Sequence, residues 1–413
     1  MKILMAHNYY QQPGGEDVVF ADEGRLLESH GHQVLRFTRH NDAISDMSAW
    51  QLTRTTVWNG SAHRELQTLI ERERPDVLHC HNLFPLISPA AYYAARAEGI
   101  PVIQSLHNYR LLCPNAIFYR QGRICEDCLG KPVPWPGVLH ACYRNNRKAS
   151  AAVGLMLVVH CGCRTWTRMV DRYIATTEFA RFKFVEGGIP ADRIRVKPNC
   201  VDPDTGVGKC LGDYVVFASR LSPEKGVDVL LAAWSQMPDR VPLKIVGDGP
   251  LRETVRQACR RDARIEWLGH KPIDELMSLV GNASMLVFPS TWYETFGRTV
   301  IEAFAKGVPV VVSRGGAATE LVEDGRTGLL FQMGDAADLA QKVLRLWNSP
   351  TDRMTMGHAA RREYELKYGA EQNYDMLMAI YREAIAARSQ PVDASQAGKV
   401  RECRLSAAAS RKV

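Results

Sequence analysis

The sequence predicts an α/β protein built from two doubly wound domains, and three observations carry that expectation. Apolar runs of strand length alternate with amphipathic helical stretches, the pattern of parallel strands joined by crossover helices. The alternation runs through the first half, breaks near residue 200 at a Gly-rich segment, and starts again. At 413 residues the chain exceeds one typical domain, and its 46% apolar and 23% charged residues are an ordinary balance for large buried cores.

In the first half, residues 2–6 read as a short buried strand, Gln11-Gln-Pro-Gly-Gly15 as a turn, and 17–30 as a helix. Further strands are expected at 33–37, 77–80 and 101–105, with a helix over 89–98 before the last of them. Gly14 and Gly15 follow the first strand, where bare backbone can approach a phosphate. The pair is not a full G-x-G-x-x-G, and a plain loop turn reads equally well. His107 stands just past the strand at 101–105, at the carboxyl end where open parallel sheets bind ligands. A structural histidine is the alternative there.

The segment 113–142 interrupts this alternation. Cys113, Cys125, Cys128 and Cys142 fall inside it, Cys125 and Cys128 in C-x-x-C spacing. Tetrahedral zinc takes four such ligands, and one C-x-x-C supplies a two-ligand knuckle. His140 is a further ligand type, and free buried thiols or a redox pair are competing readings. From 145 to 184 a helical region carries Arg147, Lys148, Arg164, Arg168, Arg172, Arg181 and Lys183 among apolar residues. Such a stretch fits an anionic membrane surface, or simply a solvated helix face. A strand at 173–177 and the segment Val196-Lys-Pro-Asn199 follow, and 200–212 reads as the interdomain linker.

The second half repeats the pattern, with strands expected at 214–218, 243–247, 265–270, 285–288 and 308–312. Arg220 and Lys225 follow the first of these, at a carboxyl end where two cations can neutralise a diphosphate. After the strand at 285–288 a loop carries Glu294 and Gly297, and the next helix holds Glu302, eight residues beyond Glu294. The amide groups around Gly297 to Thr299 start that helix and form an anion site. Two carboxylates beside such a helix start suit a ligand bearing both phosphates and hydroxyls. Helical stretches at 335–347, 352–366 and 371–387 end the ordered part, and a mildly basic, disordered tail is expected over 389–413.

Charge and cysteine usage narrow the class. The net charge of +7 is modest for this length and its cations are scattered, so a nucleic-acid partner is not expected. Eleven cysteines without a compact secreted-domain pattern, no signal-peptide core at residues 1–7 and no run of membrane-spanning length point to the cytoplasm.

Arg220 and Lys225 followed by Glu294, Thr295-Phe-Gly297 and Glu302 resemble the donor site of the family 4 retaining glycosyltransferases. The resemblance implies the GT-B fold, two facing Rossmann-like domains with a donor cleft between them. It divides the chain into an acceptor domain over 1–200, a donor domain over 201–370, and a helix over 371–388 that crosses back. It implies a nucleoside-diphosphate sugar donor, with Glu302 on the ribose, Glu294 on the sugar hydroxyls, and Arg220 and Lys225 on the diphosphate. Gly14 and Gly15 would approach the phosphate, His107 would stand beside the donor sugar, and the backbone at Phe296 and Gly297 would hold that sugar. Thr299 and His270 join the donor-binding set.

The insert after His107-Asn-Tyr-Arg110 resembles bacterial polysaccharide-assembly members. The acceptor is then a saccharide or lipid-linked saccharide, and the enzyme sits in the cytoplasm, peripherally on the inner membrane face. Arg220 and Lys225 take the charge-neutralising role, so no cofactor is expected for catalysis, and no Asp-x-Asp triplet suited to a catalytic metal is read. A structural zinc in the insert is the one metal expected. Two other functions compete: a nucleotide-sugar epimerase on the same fold, and a non-catalytic binding module using the cysteine knuckle.

Overall fold

A computed structural model describes residues 1–389 apart from Pro13, Cys210, Leu211 and Asp239, so the tail expected over 389–413 falls, beyond its first residue, outside the described part. Two six-stranded parallel sheets organise it. In the first, β1 (Lys2–Tyr9), β2 (Gln33–His40), β3 (Val77–Cys80) and β4 (Val102–Leu106) precede an insert whose small ribbon is β5 (Tyr119–Arg120) and β6 (Arg123–Ile124). β7 (Arg172–Ala175) and β8 (Ile194–Val196) complete the sheet, in the order β2-β1-β3-β4-β7-β8. The second sheet holds β9 (Val215–Ala218), β10 (Leu243–Val246), β11 (Ile265–Gly269), β12 (Met285–Phe288), β13 (Val310–Arg314) and β14 (Gly328–Gln332). Its order is β11-β10-β9-β12-β13-β14, the doubly wound order whose crevice opens where the winding reverses, between β9 and β12.

The strands form because their residues are apolar on both faces. β4, β9, β12 and most of β1 are buried throughout, as a sheet covered by helices on both sides requires. β8 and β14, the outer strands beyond β7 and β13, were not expected: β8 has three residues and β14 begins at a glycine, too little apolar period to announce a strand. The basic region 145–184 also differs from expectation. It divides into helix Arg147–Gly162, a turn of helix at Thr165–Arg168, β7 and helix Glu178–Glu186. Its cations therefore do not share one face. Arg172 pairs with Glu383, and Lys183 is buried between Glu126 and Glu186.

The last helix, Ala370–Ser389, leaves the second domain and lies on the first. Leu377, Met378, Ile380, Tyr381 and Ala384 pack there against Ile3, Met5, Phe20, Leu27, Val77 and Ile103. Each large apolar side chain buried this way contributes about 1.5–3 kcal/mol. Among the described residues no helix is long and apolar enough to cross a membrane.

Candidate active site

The loops after β9 and β12 lie side by side at the reversal point, which explains how residues far apart in sequence meet. Gly226 ends the first loop at φ +72°. A Cβ there would stand 1.9 Å from the Pro289 carbonyl oxygen, so only glycine lets the two loops close. Lys225 Nζ consequently lies 2.6 Å from Glu294 Oε1, and Ser290 Oγ donates to the same oxygen at 2.7 Å. The ammonium also sits 5.1 Å from the centre of the Trp292 ring. Gly297, at φ +117°, turns the chain into helix Arg298–Ala305. On that helix Arg298 Nε donates to Glu302 Oε1 at 2.8 Å, and its Nη2 lies 2.7 Å from Asp22 Oδ2 of the first domain.

The first domain contributes a buried polar cluster under the cleft. His107 Nε2 is 3.0 Å from His81 Nδ1, and His81 Nε2 is 3.4 Å from Glu23 Oε2. Lys197 Nζ donates to Glu23 Oε1 at 2.6 Å and to Asn373 Oδ1 at 2.9 Å. Burial pushes His107 down to about 3 and His79 down to about 4, so both imidazoles are neutral at physiological pH. Burial acts to raise the Glu23 carboxyl, but Lys197 and His79 outweigh it and hold the group below its ordinary value. Glu23, His79 and His81 place ligand-type atoms within 4.8 Å of one another. Both His79 nitrogens are already engaged, by Tyr381 Oη at 2.8 Å and Ser105 Oγ at 2.9 Å. With the Lys197 ammonium alongside, this trio is a hydrogen-bond network and not a cation site.

Beside His107, Asn108 Nδ2 donates to Glu16 Oε1 at 2.6 Å, and Tyr10 Oη donates to Glu16 Oε2 at 3.0 Å. Burial lifts the Glu16 carboxyl above its usual range against these two hydrogen bonds. A recess of about 530 Å³ opens next to His107, its polar wall formed by Thr56, Asn82, Ser88, Gln104 and Asn108.

Further contacts join the halves. Thr295 Oγ1 donates to the His107 carbonyl at 2.8 Å, which sets the loop after β12 against the histidine. Thr176 and Thr177 hydroxyls donate to the Thr295 carbonyl at 2.7 and 3.1 Å. Glu320 accepts from the Glu178 and Phe179 amides at 2.9 and 3.0 Å, capping a helix of the opposite domain.

The expected site residues divide accordingly. Lys225, Glu294 and Gly297 share the loops after β9 and β12, Glu302 stands on the helix that follows them, and Thr295 ties His107 to them. Arg220 is 60% exposed on its side chain and 3.7 Å from Glu224, free to swing over the crevice. His270 is exposed beyond β11, at the far edge of the sheet. The Phe296 side chain belongs to the apolar core, so only its backbone can face a ligand. Gly14 spends its amide on Asp17 Oδ2 at 2.7 Å, leaving Gly15 exposed at the helix start and Thr299 half-buried at the other. Asp202-Pro-Asp204 has Asp-x-Asp spacing, and Asp204 is held by both Arg361 amino groups at 2.9 and 2.6 Å. Glu16, Glu23, His79, His81, Lys197 and Arg298 were not anticipated. Histidines inside the buried strand β3 and at its end were the available signal, since buried polar groups need partners.

A parallel doubly wound pair with cations and carboxylates at the reversal point is the place where open α/β sheets bind ligands. Comparison with known proteins gives the family. The chain matches the Glycosyltransferase Family 4 model over residues 13–205 and the Glycosyl transferases group 1 model over 212–349. It is 34% identical over 401 residues to an uncharacterized glycosyltransferase of Methanocaldococcus jannaschii, covering 93% of this chain and 98% of that protein. The chain therefore belongs to the family 4 glycosyltransferases and has the GT-B fold. It is 32% identical over 185 residues to a D-inositol 3-phosphate glycosyltransferase of Corynebacterium efficiens, 42% of this chain and 43% of that one. Among solved structures, Anabaena HepE in complex with UDP-glucose aligns with a TM-score of 0.66 at 20% identity, covering 92% of this chain and all (100%) of that one. Sucrose-phosphate synthase from Thermosynechococcus elongatus aligns at 0.70 and 17% identity, covering 94% and 99%.

Proposed function

We propose that this glycosyltransferase moves a sugar, with retention at the anomeric carbon, from a nucleoside-diphosphate sugar to a saccharide or lipid-linked saccharide in cell-surface polysaccharide assembly. The observation that carries the donor part is the Lys225–Glu294 pair, held at the reversal point and tied through Thr295 to His107. The UDP-glucose complex of HepE supports the donor class. Lys225, with Arg220 swinging in, stabilises the negative charge that grows on the β-phosphate as the sugar leaves. Glu294 and Glu302 exchange their present cationic partners for sugar and ribose hydroxyls.

The acceptor enters through the recess beside His107 and attacks on the face the phosphate leaves. The C1–phosphate bond breaks, the C1–acceptor bond forms, and the acceptor proton passes to the departing phosphate oxygen. Neither carboxylate is then spent as a nucleophile. The test is product NMR, with the donor chosen by a thermal-shift panel of nucleoside-diphosphate sugars. Retained configuration is expected; an inverted anomeric centre would overturn the mechanism.

The membrane part of the proposal, contact with the cytoplasmic leaflet, draws on a different surface. Helices Ala49–Val57 and Trp135–Leu139 both pack on helix Arg147–Gly162. Trp50, Trp135, Leu139, Leu155 and Val159 are exposed on them, and Arg54, Arg144, Arg147 and Lys148 are exposed beside them. Aromatic and aliphatic side chains among cations suit an anionic lipid surface. Arg147→Glu with Lys148→Glu should weaken flotation with phosphatidylglycerol vesicles by tenfold or more, at about 1 kcal/mol per cation. Equal flotation of variant and parent would remove this surface from the proposal.

A further inference from the structure

We infer that Cys113, Cys125, Cys128 and Cys142 form a structural zinc site, with Arg120 as its counter-charge, and that the site braces the donor loop. The four cysteines lie on separate turns of the insert yet line one recess, together with Tyr119, Arg120 and Asp127. The local folding presents them. Cys113 opens a tight turn, its amide donating to the Tyr109 carbonyl at 2.9 Å and the Ala116 amide donating to the Cys113 carbonyl at 2.8 Å. The ribbon β5–β6 then runs straight into Cys125, whose amide donates to the Phe118 carbonyl at 2.8 Å. The Cys128 thiol donates to the Pro134 carbonyl at 3.9 Å, and the Cys142 amide donates to the Gly137 carbonyl at 2.9 Å.

Two further observations point to an ion. The insert has only a ribbon of two-residue strands and a five-residue helix, while Ala116, Phe118, Gln121 and Ala141 all hold left-handed backbone without being glycine. Such conformations persist only where something over-determines them, and an ion held by these turns would add to the turn hydrogen bonds already present. Arg120, meanwhile, spends Nη2 on Asp127 at 2.8 Å but leaves Nε and Nη1 buried without partners, beside Cys125 and Cys142. Neutral thiols are weak acceptors. Four thiolates around Zn²⁺ carry a net charge of −2, which supplies acceptors for these two nitrogens and adds to the negative charge of Asp127. No three of the sulfurs lie within 4.8 Å of one another. Tetrahedral zinc with bonds of about 2.3 Å needs them roughly 3.8 Å apart, so loading rotates the side chains inward and releases the thiol protons.

The brace follows from what the insert touches. Tyr119 Oη lies 3.4 Å from Thr291 Oγ1. Glu126, inside the C-x-x-C, holds Lys183 at 2.6 Å, and Lys183 sits 5.5 Å from the centre of the Tyr293 ring. Thr291 and Tyr293 flank Trp292 on the loop that carries Glu294. The metal assignment is independent of the proposed reaction; only its link to the donor rests on that reading.

The test uses the full chain, purified under reducing conditions without chelator from zinc-supplemented medium, with metal content measured by plasma mass spectrometry. About one zinc per chain is expected, released as a thiol-capping mercurial is titrated in. Exchange with cobalt(II) should give a thiolate-to-cobalt charge-transfer band and tetrahedral d–d bands, a readout that needs no variant to fold. Arg120→Ala should weaken zinc affinity about 10–100-fold. Less than about half an equivalent of metal, or a Cys125–Cys128 disulfide in the purified chain, overturns the site. Zinc bound at full stoichiometry but without effect on nucleotide affinity when it is removed overturns the brace and leaves the proposed transfer reaction standing.

Discussion

Lys225→Ala lowers kcat by about 10²–10³-fold, the usual cost of removing one preorganised charge-stabilising donor from a site where negative charge develops. Lys225 is already oriented before any donor arrives, by Glu294 at 2.6 Å and by the Trp292 ring below it. Its charge matters most when the β-phosphate departs, so kcat falls further than the Michaelis constant for the donor rises. Lys225→Arg restores charge without the point geometry and should recover part of the loss. Truncation also leaves Glu294, which is 5% exposed, without its cation. Circular dichroism and a melting curve for the variant separate a collapsed loop from a lost catalytic charge. A folded Lys225→Ala protein that keeps kcat within about fivefold of the parent would remove Lys225 from the leaving-group role.

The second large effect concerns stability and lies outside the chemistry. Lys197 and Glu23 are 2% and 3% exposed and 2.6 Å apart. Taking both charges out of water is expensive, and each tolerates burial because the other is there. Lys197→Ala leaves the carboxylate uncompensated among neutral histidines, and should cost about 3–5 kcal/mol. For a domain of this size that is roughly 10 °C in Tm. The double variant Glu23→Gln, Lys197→Met removes both charges at similar volume and should recover much of the loss. The measurement is urea unfolding of the three proteins. A loss below about 1 kcal/mol in Lys197→Ala, or no recovery in the double variant, would show that the pair is not the term that matters.

The contrast between these two lysines also shows what the sequence could and could not disclose. Lys225 was legible because a short loop after a buried strand, rich in cations, has few structural uses. Glu294 and Glu302 were legible through their spacing across a strand, loop and helix start. Lys197 was not: a single lysine in Val196-Lys-Pro-Asn199 looks like any solvated cation, and its partner Glu23 sits in a helix of ordinary composition 174 residues earlier. Which charges are buried depends on how β1, β3 and the last helix come together, a long-range matter that local period does not report. The same holds for Arg298, whose link to Asp22 joins two domains, and for the strands β8 and β14, recruited to their places by neighbours and not by their own propensity. The scattered cations of 145–184 failed as one amphipathic face for the related reason that a strand intervenes.

The return of helix Ala370–Ser389 to the first domain has a consequence for the order in which the protein can be made. Tyr381 and Asn373 supply hydrogen bonds to His79 and Lys197, and Leu377, Met378 and Ala384 cover one side of the first sheet. On the ribosome, β1 through β8 are all synthesised by residue 196, but their covering helix emerges only after the whole second domain. The first domain therefore waits, with an apolar sheet face exposed, while nearly half the chain is still being translated, and chaperones have that interval in which to bind it. A chain cut before residue 370 lacks the helix that covers this face of the first sheet.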